Sequence, residues 1–145
     1  MNSPICVDAG LFIKLLIHED LSDAARQKWE IWTLHEKRTI IAPSLFSFEV
    51  LSVLRKQVVR GRLTWEEGQA ALDAFLDADI QIVPPSGELH RKAWQLAYRF
   101  NHPTAYDAYY MALAEAQSCE FWTADKRLYN SVQGQFPLLH WLGAP

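Results

Sequence analysis

Short apolar runs alternate along the chain with longer segments whose apolar residues recur at helical spacing. The runs typical of buried strands cover residues 5–8, 39–42, 80–83, 120–123 and 137–141. The segments typical of helices cover residues 11–17, 22–36, 44–60, 64–77, 87–100, 104–117 and 125–132. Because helices separate the strands, we predict right-handed crossovers and a mainly parallel sheet with helices on both faces.

Local signals predict several helix starts. Thr64 and Glu67 form a capping-box pair, which predicts a helix beginning directly after Thr64. Ser22 or Asp23 is expected to cap the second helix. Gly10 is expected to allow a tight turn between the first strand and the first helix, because glycine adopts conformations that other residues avoid.

The composition is that of one globular domain. The chain has 145 residues, of which 50% are hydrophobic and 21% charged, so a single packed domain over residues 1–145 is expected. The net charge of -3 argues against a protein that coats nucleic acid through its overall charge, although it permits a local basic patch. Cys6 and Cys119 are expected to be small buried residues in a reducing cytoplasm. No apolar run reaches the ~18 residues of a membrane span, so we predict a soluble cytoplasmic protein.

Four carboxylates stand in settings where a carboxylate is energetically costly. Asp8 ends the first predicted strand, and Asp125 follows the fourth. Glu49 lies within an apolar helical stretch, and Asp107 lies among tyrosines and alanines near a helix start. An unpaired buried carboxylate is strongly unfavourable or becomes protonated, whereas a divalent cation compensates several carboxylates together.

The predicted topology offers one place where these acids can meet. In open parallel sheets, sites form beyond the carboxyl ends of the strands, where the strand order reverses. Asp8 and Asp125 would face each other there if strands one and four are neighbours, and Asp107 would reach the same rim. Structural alternatives exist for three of them, as helix N-caps or as partners of first-turn amides, whereas Glu49 has no cation at helical spacing. A shared set of carboxylates without imidazole or thiolate suits Mg²⁺ or Mn²⁺.

Other chemistries find little support in the sequence. The five histidines form no His-Glu-x-x-His or comparable zinc pattern. There is no Gly-x-Gly-x-x-Gly and no Walker-type loop, so no motif indicates dinucleotide or nucleoside triphosphate binding. Ser44 and Ser47 lack a recognisable nucleophile elbow. A phosphoacceptor receiver domain would need an acceptor aspartate after the third strand, where Pro84 and Pro85 stand instead.

Four segments resemble the PIN domain family, in the family's order along the chain. They are residues 7–9 (Val-Asp-Ala), 48–50 (Phe-Glu-Val), 105–108 (Ala-Tyr-Asp-Ala) and 123–128 (Thr-Ala-Asp-Lys-Arg-Leu). The likeness spans essentially the whole chain and is strongest to the small VapC-type ribonuclease toxins of toxin–antitoxin pairs. It implies a three-layer α/β/α domain with a parallel sheet of order 3-2-1-4-5. It also implies RNA cleavage dependent on Mg²⁺ or Mn²⁺, a homodimer and a cognate antitoxin protein.

The resemblance also implies roles for individual residues. The family's four acidic positions, which would bind the metal, are occupied here by Asp8, Glu49, Asp107 and Asp125. Thr123 matches a hydroxyl residue near the family's pocket, where it would orient a ligand or water. Ala9 departs from the Ser, Thr or Asn of many members, which removes an accessory hydrogen bond but no carboxylate.

The expected reaction is hydrolysis of RNA phosphodiester bonds to 5′-phosphate products, since a metal-activated water needs no 2′-hydroxyl nucleophile. Two other functions stay open at this point. One is an RNA-processing nuclease without an antitoxin, and the other is a non-catalytic PIN-like module that binds RNA or protein. A binding module gains nothing from a costly acidic cluster, which disfavours the second.

Basic and aromatic residues supply candidates for contacts beyond the acidic positions. The cations expected to hold phosphates are Arg55, Lys56, Arg60, Arg62, Lys14, Lys126 and Arg127. The first four are equally consistent with a solvated helix face. For a dimer or antitoxin contact we expect some of the tryptophans and Phe46 or Val50.

Overall fold

A five-stranded parallel sheet crosses the molecule, for which the computed structural model describes residues 2–145. Its strands are Ile5–Val7 (β1), Ile40–Pro43 (β2), Ile80–Val83 (β3), Glu120–Thr123 (β4) and Leu139–Trp141 (β5). Their spatial order is β3-β2-β1-β4-β5, so the predicted fold class and strand order are confirmed. The first strand therefore lies at the centre of the sheet, between β2 and β4.

Helices connect the strands and cover both faces of the sheet. They are Ala9–Leu16 (α1), Ser22–Glu30 (α2), Leu45–Val59 (α3), Trp65–Asp77 (α4), Gly87–Arg99 (α5), Tyr106–Ala116 (α6) and Lys126–Ser131 (α7). A single π-helical turn over Ile31–His35 extends α2. None of the helices formed by residues 2–145 is both long enough and apolar enough to cross a membrane.

Two consecutive residues of β4 show the three-layer arrangement. Phe121 stacks on Tyr110 of α6, with ring centroids 5.5 Å apart. Trp122 packs on Trp32 of the π-helical turn, with centroids 5.4 Å apart. Because consecutive strand residues point to opposite faces, α6 and the extended α2 lie on opposite sides of the sheet.

An aromatic group joins four helices in the core. Phe12 of α1 lies 5.6 Å, between ring centroids, from each of Trp29, Phe46 and Phe75, which belong to α2, α3 and α4. Phe46 and Val50 are fully buried. The prediction that either residue forms a dimer or antitoxin contact is therefore wrong, because this face of α3 packs into the protein's own core.

Both cysteines are buried and free, as predicted. Cys6 of β1 lies under α6, where its thiol is 3.9 Å from the carbonyl oxygen of Tyr110. Burial raises the pKa of the Cys6 thiol well above its usual range and raises the pKa of Cys119 to about 11. Both residues therefore serve as small core side chains.

The helix starts agree with the sequence in one case and differ in another. At α4, Thr64 Oγ1 accepts a hydrogen bond from the Glu67 N–H at 3.0 Å, and Glu67 Oε1 accepts one from the Thr64 N–H at 2.9 Å, so the capping box is confirmed. At α1, the helix begins at Ala9 and includes Gly10 in its first turn. The predicted tight turn at Gly10 is wrong, because Asp8 caps the helix immediately after β1.

The start of α2 also differs from the prediction. Leu21 occupies the cap position with φ of 71°, and no side chain caps the helix. The Ser22 hydroxyl instead accepts a hydrogen bond from the Glu19 N–H at 2.9 Å and donates one to the Ile17 carbonyl at 3.2 Å. Ser22 therefore closes the loop before α2, so the prediction of Ser22 or Asp23 as a cap is wrong.

Candidate active site

The four predicted acids lie close to points where strands end and helices begin. Asp8 follows β1 and caps α1, and Asp125 follows β4 and caps α7. Asp107 lies in the first turn of α6, and Glu49 lies in the second turn of α3. Because β1 and β4 are paired neighbours, their carboxyl ends meet at the same edge of the sheet.

Thr123 links the first of these acids to the fourth. Its side chain is fully buried, and its hydroxyl donates a hydrogen bond to Asp8 Oδ2. The same hydroxyl oxygen accepts a hydrogen bond from the backbone N–H of Asp125 at 2.9 Å. Thr123 therefore orients the Asp8 carboxylate relative to the loop that carries Asp125.

Asp8 is 9% exposed, and its ionised form is strongly disfavoured. Burial raises the pKa of Asp8 from 3.8 to about 7, although the hydrogen bonds from Thr123 and from the Leu11 N–H (2.9 Å) act in the opposite direction. The value of about 7 also includes smaller increases in the pKa from the charges of Asp107 and Glu49. An environment that combines burial with like charges favours a bound cation at this position.

Glu49 is held by a residue that sequence reasoning did not single out. Tyr110 OH donates a hydrogen bond to Glu49 Oε1 at 2.6 Å. Burial raises the pKa of Glu49, the bond from Tyr110 lowers it, and the charge of Asp107 raises it. Tyr110 follows Asp107 by three positions, so both lie on the same side of α6. This spacing from Asp107 is the feature of the sequence that could have indicated Tyr110 as a residue of the site.

Asp107 shares its surroundings with Asp125. Burial raises the pKa of Asp107, the charge of Asp125 raises it further, and His102 lowers it. Asp125 Oδ1 accepts hydrogen bonds from the N–H groups of Arg127 at 2.9 Å and Leu128 at 3.3 Å. The N-cap interpretation is thus correct for Asp125, and a carboxylate that caps a helix still has lone pairs for another ligand.

The charges of the four acids affect one another's pKa values in pairs. Asp8 is affected by Glu49 and Asp107, Glu49 by Asp107, and Asp107 by Asp125. Within residues 2–145, no lysine or arginine forms an ion pair with any of the four. The same residues contain no group of three His, Cys, Asp or Glu side chains already arranged to hold a metal ion.

The donor chemistry of this cluster fits Mg²⁺ or Mn²⁺. Both ions take carboxylate oxygens, and four carboxylates without a lysine or arginine partner in the described part of the chain supply such a set. Glu49 and Asp125 are turned toward Tyr110 and the first amides of α7. These hydrogen bonds engage one oxygen of each carboxylate, Oε1 of Glu49 and Oδ1 of Asp125, and leave the second oxygen of each for a cation.

The basic residues predicted to contact phosphates differ in their surroundings. Exposed side chains that form no ion pair with the described residues are Arg55, Lys56, Arg60, Arg62, Lys126 and Arg127. Lys126 Nζ lies 5.4 Å from the ring centroid of Trp141. Lys14 Nζ lies 3.0 Å from Glu19 Oε1.

Comparison with known proteins agrees with this geometry. The PIN domain family model matches residues 5–132. Over 134 residues the chain is 34% identical to Ribonuclease VapC9 of Mycobacterium tuberculosis, which covers 92% of this chain and 95% of that protein. A toxin–antitoxin complex from Klebsiella pneumoniae has a TM-score of 0.69 at 17% identity, over 94% of this chain and 95% of the other. Mycobacterium tuberculosis VapC20, a sarcin-ricin loop cleaving toxin, has a TM-score of 0.63 at 16% identity, over 88% of this chain and 94% of the other.

The matched segment and the strand order define the chain as a member of the PIN domain family. Within that family it belongs to the VapC ribonuclease toxins of toxin–antitoxin systems. The solved structures share less than 25% identity with the chain and support the fold alone. The resemblance inferred from the four sequence segments is therefore confirmed at the level of the family.

Proposed function

We propose that this protein hydrolyses RNA phosphodiester bonds with Mg²⁺ or Mn²⁺ held by Asp8, Glu49, Asp107 and Asp125, and that it is the toxin of a toxin–antitoxin pair. The observation that carries the proposal is a set of mutually repelling carboxylates that have no lysine or arginine partner within residues 2–145. Asp8 is buried, Glu49 and Asp107 are half-buried, and Asp125 is exposed at the edge of the set. Such a cluster is unfavourable by itself and favourable around a cation.

When bound, Mg²⁺ or Mn²⁺ supplies positive charge that attracts the scissile phosphate, activates water and stabilises the leaving oxygen. Asp8 and Asp107 are the central ligands in this proposal, because Asp107 interacts with all three other acids and Asp8 is the most deeply buried of the four. Thr123 keeps Asp8 in one orientation through its hydroxyl. Tyr110 holds Glu49 at the same rim through its own hydroxyl. These two positioning residues reduce the reorganisation that metal binding requires.

A non-catalytic binding module is the second candidate, and the electrostatics disfavour it. RNA is an anion, and the ionised cluster repels it unless a cation reverses the local charge. Ionising Asp8 also costs stability, because burial raises its pKa to about 7. A module that bound protein or RNA without a metal would be destabilised by its ionised acids and would gain no function from them.

We also propose an antitoxin partner and a homodimer. The structural neighbours include a toxin–antitoxin complex from Klebsiella pneumoniae and VapBC2 from Rickettsia felis bound to a promoter DNA fragment. On this chain, Trp94 and Trp65 are 77% and 63% exposed, whereas Trp32 is buried. Large exposed aromatic side chains are typical of surfaces that a partner covers. Trp65 and Trp94 are therefore the tryptophans that we assign to protein contacts.

Cleavage of single-stranded RNA by purified protein in Mg²⁺ or Mn²⁺ tests the proposed activity. We expect 5′-phosphate products and loss of cleavage in Asp8→Asn and Asp107→Asn. The matched control is Asp73→Asn, which removes the same charge from an exposed position on α4. Cleavage that persists in either active-site variant, or in excess EDTA, would contradict the proposal.

A further inference from the structure

A small cavity of about 240 Å³ adjoins the acidic cluster. Its wall includes two of the four acids, Asp8 and Asp125. The remaining polar side chains of the wall are Lys14 from α1, Glu19 from the loop after α1, and Gln57 from α3. Because the cavity and the cluster share two carboxylates, the cavity lies beside the place where the proposed function puts the scissile phosphate.

Lys14 is the only cationic side chain among the described residues that line this cavity. Its side chain is 18% exposed, which is low for a lysine. Its ammonium group makes one ion pair, with Glu19 Oε1 at 3.0 Å. An ammonium group has three N–H donors, so this ion pair leaves donors for a second acceptor.

We propose that Lys14 binds the RNA phosphate next to the scissile one, so that the cavity is a subsite for the neighbouring nucleotide; this inference rests on the proposed nuclease function. A lysine ammonium is a compact charge that binds phosphate oxygens. Asp8, Asp125 and Glu19 make the cavity negative, so a phosphate there needs a cation in direct contact. Lys14 is already held at that position by α1 and by its ion pair.

Glu19 competes with the phosphate for the same ammonium group. Neutralising Glu19 therefore has the opposite effect on RNA binding from neutralising Lys14. This pair of opposite effects distinguishes a phosphate site from a purely structural ion pair. If the pair only stabilised the fold, both variants would change stability in the same direction and would leave RNA affinity unchanged.

The experiment compares Lys14→Met, Lys14→Arg and Glu19→Gln in two assays. Binding of a fluorescein-labelled single-stranded RNA is measured by anisotropy in Ca²⁺, and cleavage of the same RNA is measured in Mg²⁺. We expect Lys14→Met to weaken RNA binding and to raise KM about tenfold, while kcat changes less than about twofold. Lys14→Arg should keep the RNA affinity and the KM of the wild type. Glu19→Gln should strengthen RNA binding roughly threefold. Loss of one phosphate contact should also reduce the slope of log affinity against log salt by about 0.7.

The control is a second lysine–glutamate pair of similar length. Lys92 Nζ lies 3.1 Å from Glu115 Oε1, between α5 and α6, and neither residue lines the cavity. Lys92→Met changes the net charge by the same amount as Lys14→Met, and Glu115→Gln by the same amount as Glu19→Gln. Both control variants should leave RNA affinity unchanged. Equal effects of Lys14→Met and Lys92→Met, or an unchanged salt slope in Lys14→Met, would overturn the subsite. Absence of cleavage by the wild type would overturn the nuclease proposal instead, while the binding assay still decides the role of Lys14.

Discussion

At the residue scale, Asp8 combines two conditions that act against each other. Both carboxylate oxygens accept hydrogen bonds, from Leu11 and from Thr123, which favours the ionised form. Burial and the nearby acids disfavour that form more strongly, so the pKa of Asp8 lies near 7. The side chain is thus prepared structurally to be a carboxylate ligand, but its charge becomes favourable only with a cation nearby.

This condition predicts a pH dependence of the metal-free protein. Because the folded-state pKa of Asp8 is raised above 3.8, its contribution to stability is fully present at low pH and is lost as the pH rises toward about 7. The raised pKa of Asp8 corresponds to a decrease of at most about 4 kcal/mol in the free energy of unfolding between low and high pH. In EDTA, urea unfolding from pH 4 to pH 8 should show a decline in stability for the wild type that is smaller in Asp8→Asn. Parallel curves for the two proteins would contradict the raised pKa.

Tyr110 is the second case in which one side chain determines the state of another. Tyr110→Phe keeps the buried ring and its stacking on Phe121 but removes the hydrogen bond to Glu49. We expect a loss of about 1 kcal/mol of stability and a decrease in Mn²⁺ affinity of roughly tenfold or more, as for other residues that orient metal ligands. Calorimetric titration with Mn²⁺ measures the second effect.

Tyr109→Phe is the matched control on the same helix. The hydroxyl of Tyr109 lies 3.0 Å from His90 Nδ1 and bonds to no member of the acidic cluster. Equal Mn²⁺ affinity of the two phenylalanine variants would show that the Glu49 hydrogen bond has no role in metal binding. The contact between Glu49 and Tyr110 was not predictable from local pattern, because 61 positions separate the two residues.

At the element scale, the acids are placed by the ends of helices. Two of them, Asp8 and Asp125, cap α1 and α7, and a third, Asp107, lies in the first turn of α6. The N-terminal ends of helices favour negative charge, which partly offsets the repulsion within the cluster. The same side chains therefore contribute to folding and to the proposed site, and the two roles can be separated by substitution.

Asp125 allows that separation. Asparagine is as good an N-cap as aspartate but has no charge, whereas alanine is a poor cap. We expect Asp125→Asn to keep the melting temperature and lose cleavage, and Asp125→Ala to lose cleavage and also about 1 kcal/mol of stability. Thermal unfolding and RNA cleavage of the two variants provide the test. A fully active Asp125→Asn protein would restrict Asp125 to its capping role.

Patterns within a few residues determine how well each element could be predicted. The capping box at Thr64 and the strand Ile80–Val83 follow from such patterns and are observed. The start of α2 could not be predicted, because Ser22 bonds to Glu19 and Ile17 rather than to its own helix. The burial of Phe46 likewise depends on Phe12 and Phe75, which are distant in sequence.

At the scale of the whole molecule, the strand order brings the acids together. The alternation of strands and helices predicts a parallel sheet, and placing β1 beside β4 brings Asp8 and Asp125 to one edge. The order itself was expected from the resemblance to the PIN domain family and is observed. The orientation of each carboxylate was not predictable, because it depends on hydrogen bonds made by Thr123 and Tyr110 in other elements.

The most direct test of a shared cation site is a Mn²⁺ titration of the metal-free protein, followed by calorimetry and by thermal unfolding. We expect Mn²⁺ to bind the wild type and to raise its melting temperature. In Asp8→Asn and Asp107→Asn, Mn²⁺ affinity should fall more than the roughly tenfold expected when a residue that orients a metal ligand is lost. The control Asp73→Asn, which changes an exposed acid, should bind Mn²⁺ like the wild type. Equal Mn²⁺ affinity in all four proteins, or no binding by the wild type, would contradict the claim that these acids act around one metal ion.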